Sequence, residues 1–174
     1  MSTTRDEIQA TVAANAGVHF NELVRESAFA PGQIQYHVRR LIDDERVVSD
    51  QFYGQTHYYP PTYDAWERGA LALFRRETAR EIIVFLIEHG EETVTPTAVV
   101  DELDIARSTL EWHLTRLEEC SVVEKHYDER GRVSVQLAHP ERTGHLLSKV
   151  TPTGPERLVD RFTRLVDTLL DGAE

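Results

Sequence analysis

The sequence predicts an α+β fold, mostly helical, in which one helix-and-hairpin unit occurs twice. The first observation is an internal repeat: the segment APGQIQYHVRRL at 30–41 aligns with ARSTLEWHLTRL at 106–117. The second is that each copy carries apolar residues at helical spacing. The third is that two short strand-like segments follow each copy. The chain of 174 residues is therefore expected to form two small domains that share a core.

Each aligned helix has an apolar stripe and an opposite polar face. The stripes consist of apolar residues at matched positions: Ile34, Val38, Leu41, Leu110, Leu114 and Leu117. The polar faces carry donor, cationic and aromatic side chains: Gln33, Tyr36, Arg39 and Arg40 in the first copy, and Thr109, Trp112, Thr115 and Arg116 in the second. Such groups are able to reach the groove of a duplex.

A hairpin follows each aligned helix, and a short helix precedes it. The predicted hairpin strands are 51–53 and 56–59 in the first copy, joined by Gly54-Gln55, and 124–127 and 132–137 in the second, joined by 128–131. The preceding helices are predicted at 21–27 and 95–103. Helix, helix and hairpin in this order predict a winged helix-turn-helix.

The second copy supplies the residues that carry a family resemblance. Its segment LDIARSTL at 103–110, continued to Leu117, resembles the turn and recognition helix of the archaeal and bacterial winged-helix regulators of the ArsR/MarR-like superfamily. The resemblance extends to both halves of the chain. It implies two tandem winged helix-turn-helix units and a role in transcription regulation.

The domain organisation follows from breaks in the pattern. Pro60-Pro61 ends the first unit. The predicted segments are a first winged-helix unit at 1–61, a linking helix at 62–78, a second winged-helix unit at 79–150 and a C-terminal helix at 151–174. The linking helix runs on toward Glu88 with a break near Arg75 to Thr78. A buried link would fix the spacing of the two recognition helices, whereas a flexible link would leave them independent. The sequence favours the buried link.

Residues typical of helix ends mark the helices of the first unit. A first helix is predicted at 5–16, closed by Gly17. Asn21 is a candidate N-cap of the second helix. Pro31 suits the first turn of the recognition helix, where a missing N–H costs nothing.

The two predicted wings differ in charge. The first has no cation between Asp50 and Tyr59 and is rich in aromatic residues, which favours a packed aromatic surface against the second unit or a partner protein. The alternative is a groove contact through Gln51, Gln55 or His57. The second wing carries Lys125, Arg130 and Arg132, which suit contact with phosphates or the minor groove. Its alternative is a solvated turn in which arginines neutralise Asp128 and Glu129.

The charge balance indicates a solvent adaptation. The net charge is −11, and only Lys125 and Lys149 among the 19 cationic residues are lysines. A lysine-poor, acid-rich surface is similar to that of proteins from haloarchaea, which accumulate salt. The local charge on the DNA-facing surface is therefore expected to matter more than the net charge.

Other functional classes lack their motifs. The chain has one cysteine, Cys120, and no signature of a nucleotide-binding loop, a zinc protease or a serine hydrolase, so we predict no enzyme activity and no cofactor. The matched histidines His37 and His113 are interpreted as structural rather than as metal ligands. Without a signal or membrane-spanning segment, the protein is predicted to be cytoplasmic and chromosome-associated.

The last predicted helix, 156–170, is amphipathic. Leu158, Phe162, Leu165 and Leu169 form a short heptad-like seam. We predict that this seam forms a homodimer interface, because regulators that bind palindromic half-sites need a twofold axis. The alternative is that the helix packs on the core of its own chain.

These observations favour a sequence-specific regulator that binds double-stranded DNA. The predicted groove-facing residues are Gln33, Gln35, Tyr36, Arg39, Arg40, Thr109, Trp112, Thr115 and Arg116, with Arg107, Ser108 and the cations of the second wing on phosphates. The alternatives are a winged-helix module that binds proteins through the aromatic first wing, and a sensor whose DNA affinity depends on an effector. The second unit is expected to bind DNA more conventionally than the first.

Overall fold

The computed structural model describes residues 3–150, which form the mostly helical α+β fold that the sequence predicts. The chain divides into two compact units between Ala72 and Leu73. The first contains α1 (Thr4–Ala14), β1 (Val18–His19), α2 (Phe20–Glu26), α3 (Pro31–Asp43), β2 (Val48–Phe52), β3 (Gln55–Tyr59) and most of α4 (Ala65–Phe74). The second contains α5 (Glu77–Glu88), α6 (Pro96–Leu103), α7 (Arg107–Glu119), β4 (Val123–Tyr127), β5 (Val133–Leu137) and α8 (Pro140–Ser148).

The first unit is built around the apolar stripe of α3. Ile34 and Leu41 are fully buried, and Val38 nearly so. They pack in one cluster with residues of α1, α2 and the hairpin: Ile8, Val12, Val18, Leu23, Val47 and Tyr58. Helix α1 begins with a capping box between Thr3 and Asp6, which satisfies backbone N–H groups that the helix leaves unpaired. The stripe predicted from the sequence is thus the core of this unit.

The sheet of the first unit is antiparallel, with the strand order β1-β3-β2. Phe52 pairs with Gln55, so the hairpin turn consists of Tyr53 and Gly54, one residue earlier than predicted. Both turn residues have positive φ, which is the conformation of a type I′ turn and matches the twist of the strands.

Two local predictions for helices α1 and α2 are corrected by the structure. Helix α2 begins at Phe20, so Asn21 lies within it; the N-cap position belongs to His19, which forms no side-chain capping bond. Helix α1 ends at Ala14 with Asn15 as its C-cap. Gly17, at φ +89°, donates its N–H to the carbonyl of Tyr58, 2.9 Å away, and thereby starts the sheet.

The second unit repeats the arrangement of helices and hairpin. Leu110, Leu114 and Leu117 of α7 are fully buried, together with apolar residues of α5, the hairpin and α8: Ile82, Ile83, Val122, Val135 and Leu147. Helix α6 is capped by Thr95, whose side chain accepts from the N–H of Ala98. Strands β4 and β5 pair antiparallel, and Val94 bridges to Val135.

The ends of α3 and α7 match in backbone detail. Arg46 N–H donates to the carbonyl of Leu41, and Val122 N–H donates to the carbonyl of Leu117. The residues before these donors, Glu45 and Ser121, both adopt left-handed backbone. These are the bonds of a Schellman motif, which ends each helix and turns the chain abruptly into the hairpin that follows. The repeat therefore extends to the geometry that places each hairpin beside its helix.

Two further predictions concern the C-terminal helix and membrane-spanning segments. The C-terminal helix at 156–170 lies outside the described residues. Within residues 3–150 no helix combines the length and apolar character needed to cross a bilayer.

Replacing a stripe residue tests whether α3 is held by its core face. Leu41→Ala is expected to lower the free energy of unfolding by about 2–5 kcal/mol, because it leaves a cavity in a fully buried site. The matched control is Gln35→Ala on the exposed face of the same helix, with an expected change within about 0.5 kcal/mol. Denaturant unfolding of both variants measures the difference; equal costs would contradict this packing.

Candidate nucleic-acid interface

The outward face of α3 combines exposed polar and aromatic groups. Gln35, Tyr36, Arg39 and Arg40 are all exposed, and 53% of the Tyr36 surface is accessible. Gln33 is also exposed, but its side-chain oxygen accepts from the N–H of Ala30, 3.2 Å away. Its side-chain oxygen therefore caps the start of the helix, and the rest of the exposed amide is not part of the core.

The cations of α3 are not neutralised by ion pairs. Neither Arg39 nor Arg40 forms a salt bridge with any residue in the described range 3–150. The Arg40 guanidinium instead lies 5.6 Å from the centre of the Tyr36 ring. A cation–π contact orients the guanidinium without cancelling its charge. Both guanidiniums are thus exposed without a salt bridge to a described residue, and the nearby Asp43 and Asp44 act on Arg40 only electrostatically.

The cations of α7 and its wing are mostly paired with acids. Arg107 Nε lies 3.0 Å from the Glu111 carboxylate, and Lys125 Nζ lies 3.4 Å from the other oxygen of Glu111 and 3.8 Å from Glu118. Only 14% of the Lys125 side chain is exposed. These carboxylates would repel a phosphate approaching either cation. Ser108, Thr109 and Thr115 are exposed on the same helix, and the Thr115 hydroxyl donates to the carbonyl of Glu111.

The tip of the second wing is fixed by Asp128. Its carboxylate accepts from the backbone N–H groups of Arg130 and Arg132, both at 2.9 Å, and from the Arg132 guanidinium at 2.6 Å. Hydrogen bonds lower the pKa of Asp128. The largest effect comes from the backbone N–H of Arg132, followed by the Arg132 side chain and then the backbone N–H of Arg130. Arg132 thus neutralises Asp128, as in the alternative prediction of a solvated turn. The exposed Arg130 forms no salt bridge with a described residue.

A cation–aromatic cluster surrounds Trp112 on α7. The Arg116 guanidinium lies 3.5 Å from the centre of the Trp112 ring system, and the Arg76 guanidinium lies 4.9 Å from it. Trp112 remains 38% exposed. Its ring meets that of His113 edge to face, with centroids 4.8 Å apart. Arg76 was not among the predicted contact residues, because it lies outside the repeat, in the link between α4 and α5.

The matched histidines lie behind these aromatic rings. His113 is buried, and His37 is half-buried against Tyr36 with ring centroids 5.1 Å apart. Nδ1 of neither histidine has a hydrogen-bond partner among the described residues. No cluster of three or more potential metal ligands occurs within residues 3–150.

Three aromatic residues of the first wing, His57, Tyr58 and Tyr59, are buried in their own unit, whereas Tyr53 at the tip is exposed. His57 Nδ1 donates to the carbonyl of Gly17, 2.6 Å away, and the Tyr59 hydroxyl donates to the carbonyl of Arg68. Gln51 and Gln55 are exposed. Of the proposed groove contacts on this wing, only the two glutamines are thus placed to meet a ligand. The buried aromatic groups offer little surface to a protein partner.

The environment of His113 leads to a pH prediction. Burial, followed by the charges of Arg76 and Arg116, lowers the pKa of His113. Because the unfolded chain then binds a proton more readily than the folded chain, stability is lost as the pH falls through about 6.5. We expect His113→Gln to lose less stability than the wild type between about pH 7 and pH 5. Thermal unfolding across this range measures the difference, and identical pH profiles would contradict the assignment.

The first unit matches a known family model. Residues 2–71 match the model named HTH_HVO_0163_N, an N-terminal HTH domain. No curated protein matches the chain. The matched residues include α1, α2 and α3, so the segment with the exposed, unneutralised arginines is the one that resembles a known helix-turn-helix domain.

Proposed function

We propose that this protein is a sequence-specific DNA-binding transcription regulator of a halophilic archaeon, in which α3 enters the major groove. The observation that carries this proposal is the outward face of α3, where the exposed Arg39 and Arg40 form no salt bridge with a described residue. The match of residues 2–71 to an HTH domain supports it. Arginine suits guanine and glutamine suits adenine in the major groove, so Gln35 and Arg39 are the proposed base contacts.

We propose that the first unit makes the main contacts with DNA bases. The sequence favoured the second unit because its wing carries three cations. Ion pairing favours the opposite assignment, since Arg107 and Lys125 share Glu111, and Arg132 is paired with Asp128. An arginine already paired with a carboxylate has to give up that contact to bind a phosphate, whereas Arg39 does not.

The proposed assembly is a homodimer of tandem winged-helix chains in the cytoplasm, associated with the chromosome. Leu158, Phe162, Leu165 and Leu169 are its proposed interface, on the basis of their spacing. A variant truncated at Gly154 is expected to be monomeric in light scattering. A truncated protein that stays dimeric would rule out this seam as the main interface.

Genome-wide occupancy of the tagged protein in a halophilic host tests sequence-specific binding. Discrete peaks that share an inverted repeat are the expected result. Fluorescence anisotropy on the strongest site should then show log affinity falling linearly with log KCl concentration. A flat occupancy profile without salt-dependent binding would refute the proposal and favour the protein-interaction module.

Removal of one α3 guanidinium tests the reading role. Arg39→Ala is expected to weaken binding to the selected site by roughly 5-fold to 150-fold, as for the loss of a base contact worth about 1–3 kcal/mol. The matched control is Arg5→Ala, which removes the same charge from an arginine paired with Asp44. Equal losses for both variants would show that only net charge matters.

Neutralising Glu111 tests whether the second unit contacts DNA. Glu111→Gln releases Arg107 and Lys125 from their shared carboxylate, so we expect higher affinity and a steeper salt dependence. Glu92→Gln, an exposed acid between α5 and α6, makes the same change in net charge and serves as the control. If the two variants behave alike in the anisotropy titration, α7 and its wing do not lie on the DNA.

A further inference from the structure

Two arginines from different elements lie on the one exposed indole of the second unit. Arg76 is the N-cap residue of α5, and Arg116 lies one turn after Trp112 on α7. Their guanidinium carbons lie 4.9 Å and 3.5 Å from the ring centroid. The Arg116 guanidinium also donates to the carbonyl of Trp112, 3.1 Å away. Both positive groups are therefore held on the same ring before any ligand binds.

Arg76 is the arginine of this cluster whose charge is left without a salt bridge to any residue in the range that the structure describes. Both arginines act on His113 as nearby positive charges. His113 is itself buried with an unpartnered Nδ1. Two guanidiniums that share an aromatic ring repel one another, and an anion between them would remove the repulsion. The guanidinium fork matches the oxygens of a phosphate group.

The first unit lacks this arrangement. Tyr36 occupies the matched position and carries only Arg40, at 5.6 Å. The additional guanidinium of the second unit comes from Arg76, outside the repeated segment. The cluster is therefore a feature of the second unit rather than a general requirement for holding the helix in place.

We propose that Arg76 and Arg116, held on Trp112, form a clamp for one phosphodiester group of the DNA backbone. This proposal rests on the proposed DNA-binding function and adds Arg76 as a contact residue. Trp112 is then a positioning residue that orients the two guanidiniums, and it does not read a base. In this arrangement α3 provides base contacts, and the second unit contributes a backbone contact that is independent of sequence.

The salt dependence of DNA binding tests the clamp. The probe is a labelled duplex of mixed sequence, titrated by anisotropy at several KCl concentrations with the full chain. Arg76→Ala is expected to reduce the slope of log affinity against log KCl by up to about 0.9, the value for complete loss of one phosphate contact. Arg76→Lys should retain most of the slope. Arg142→Ala, an exposed arginine of α8, is the control for net charge and should change the slope less.

A merely structural role for Arg76 predicts a different result. In that case Arg76→Ala would lower Tm, and the slope for the folded fraction would stay at the wild-type value, which would overturn the clamp. Trp112→Tyr provides a second variant, because it introduces the aromatic residue found at the matched position of the first unit. We expect it to fold and to give a slope between those of the wild type and Arg76→Ala; a wild-type slope would overturn the positioning role of Trp112.

The source of the phosphate is distinguished by a parallel measurement. One outcome is that inorganic phosphate at matched ionic strength raises Tm of the wild type but not of Arg76→Ala. If the slope of log DNA affinity against log KCl is then the same for both proteins, the cluster binds free phosphate and its assignment as a DNA contact is wrong. Failure of the wild type itself to bind DNA would refute the proposed function. Normal wild-type binding with an unchanged Arg76→Ala slope would refute the clamp alone.

Discussion

Burial of the apolar stripe on each aligned helix fixes which side chains reach solvent. Ile34 and Leu41 in α3, and Leu110 and Leu117 in α7, are fully buried. A helix anchored at positions three and four residues apart cannot rotate about its axis without exposing these groups, at a cost of about 1.5–3 kcal/mol each. The polar face on the opposite side is therefore held in place by hydrophobic packing, and the direction of every candidate DNA contact on the helix follows from it.

Local periodicity made this part of the structure predictable from sequence. The stripes, the Pro31 start of α3, the break near Arg75 and both hairpins were predicted, since each depends on residues close together in the chain. The hairpin turn at Tyr53-Gly54 was misplaced by one residue, because a non-glycine residue adopts positive φ there. The backbone repeat at Glu45 and Ser121 carries no glycine and so left no signal in the sequence.

Pairing between distant side chains was not predictable from the sequence. Lys125 was expected to face phosphates, but its ammonium group meets Glu111 and Glu118 on the preceding helix. Whether a wing cation meets such acids depends on how the hairpin folds back on the helix, which composition does not reveal. Arg76 is a similar case: it approaches Trp112 only because the start of α5 lies beside α7. Sequence reasoning thus identified the candidate surface but not the charges that remain available on it.

One aligned position accounts for much of the difference between the two units. Gln35 and Glu111 occupy the same place in the repeat. The neutral amide of Gln35 forms no ion pair with the arginines of α3, whereas Glu111 binds both Arg107 and Lys125. The carboxylate of Glu111 thus neutralises charge on the outward face of α7, where Arg107 would otherwise form no salt bridge with a described residue. In the second unit Arg76 and Arg116 instead lie on the ring of Trp112, and this contact is the basis for proposing an anion site there.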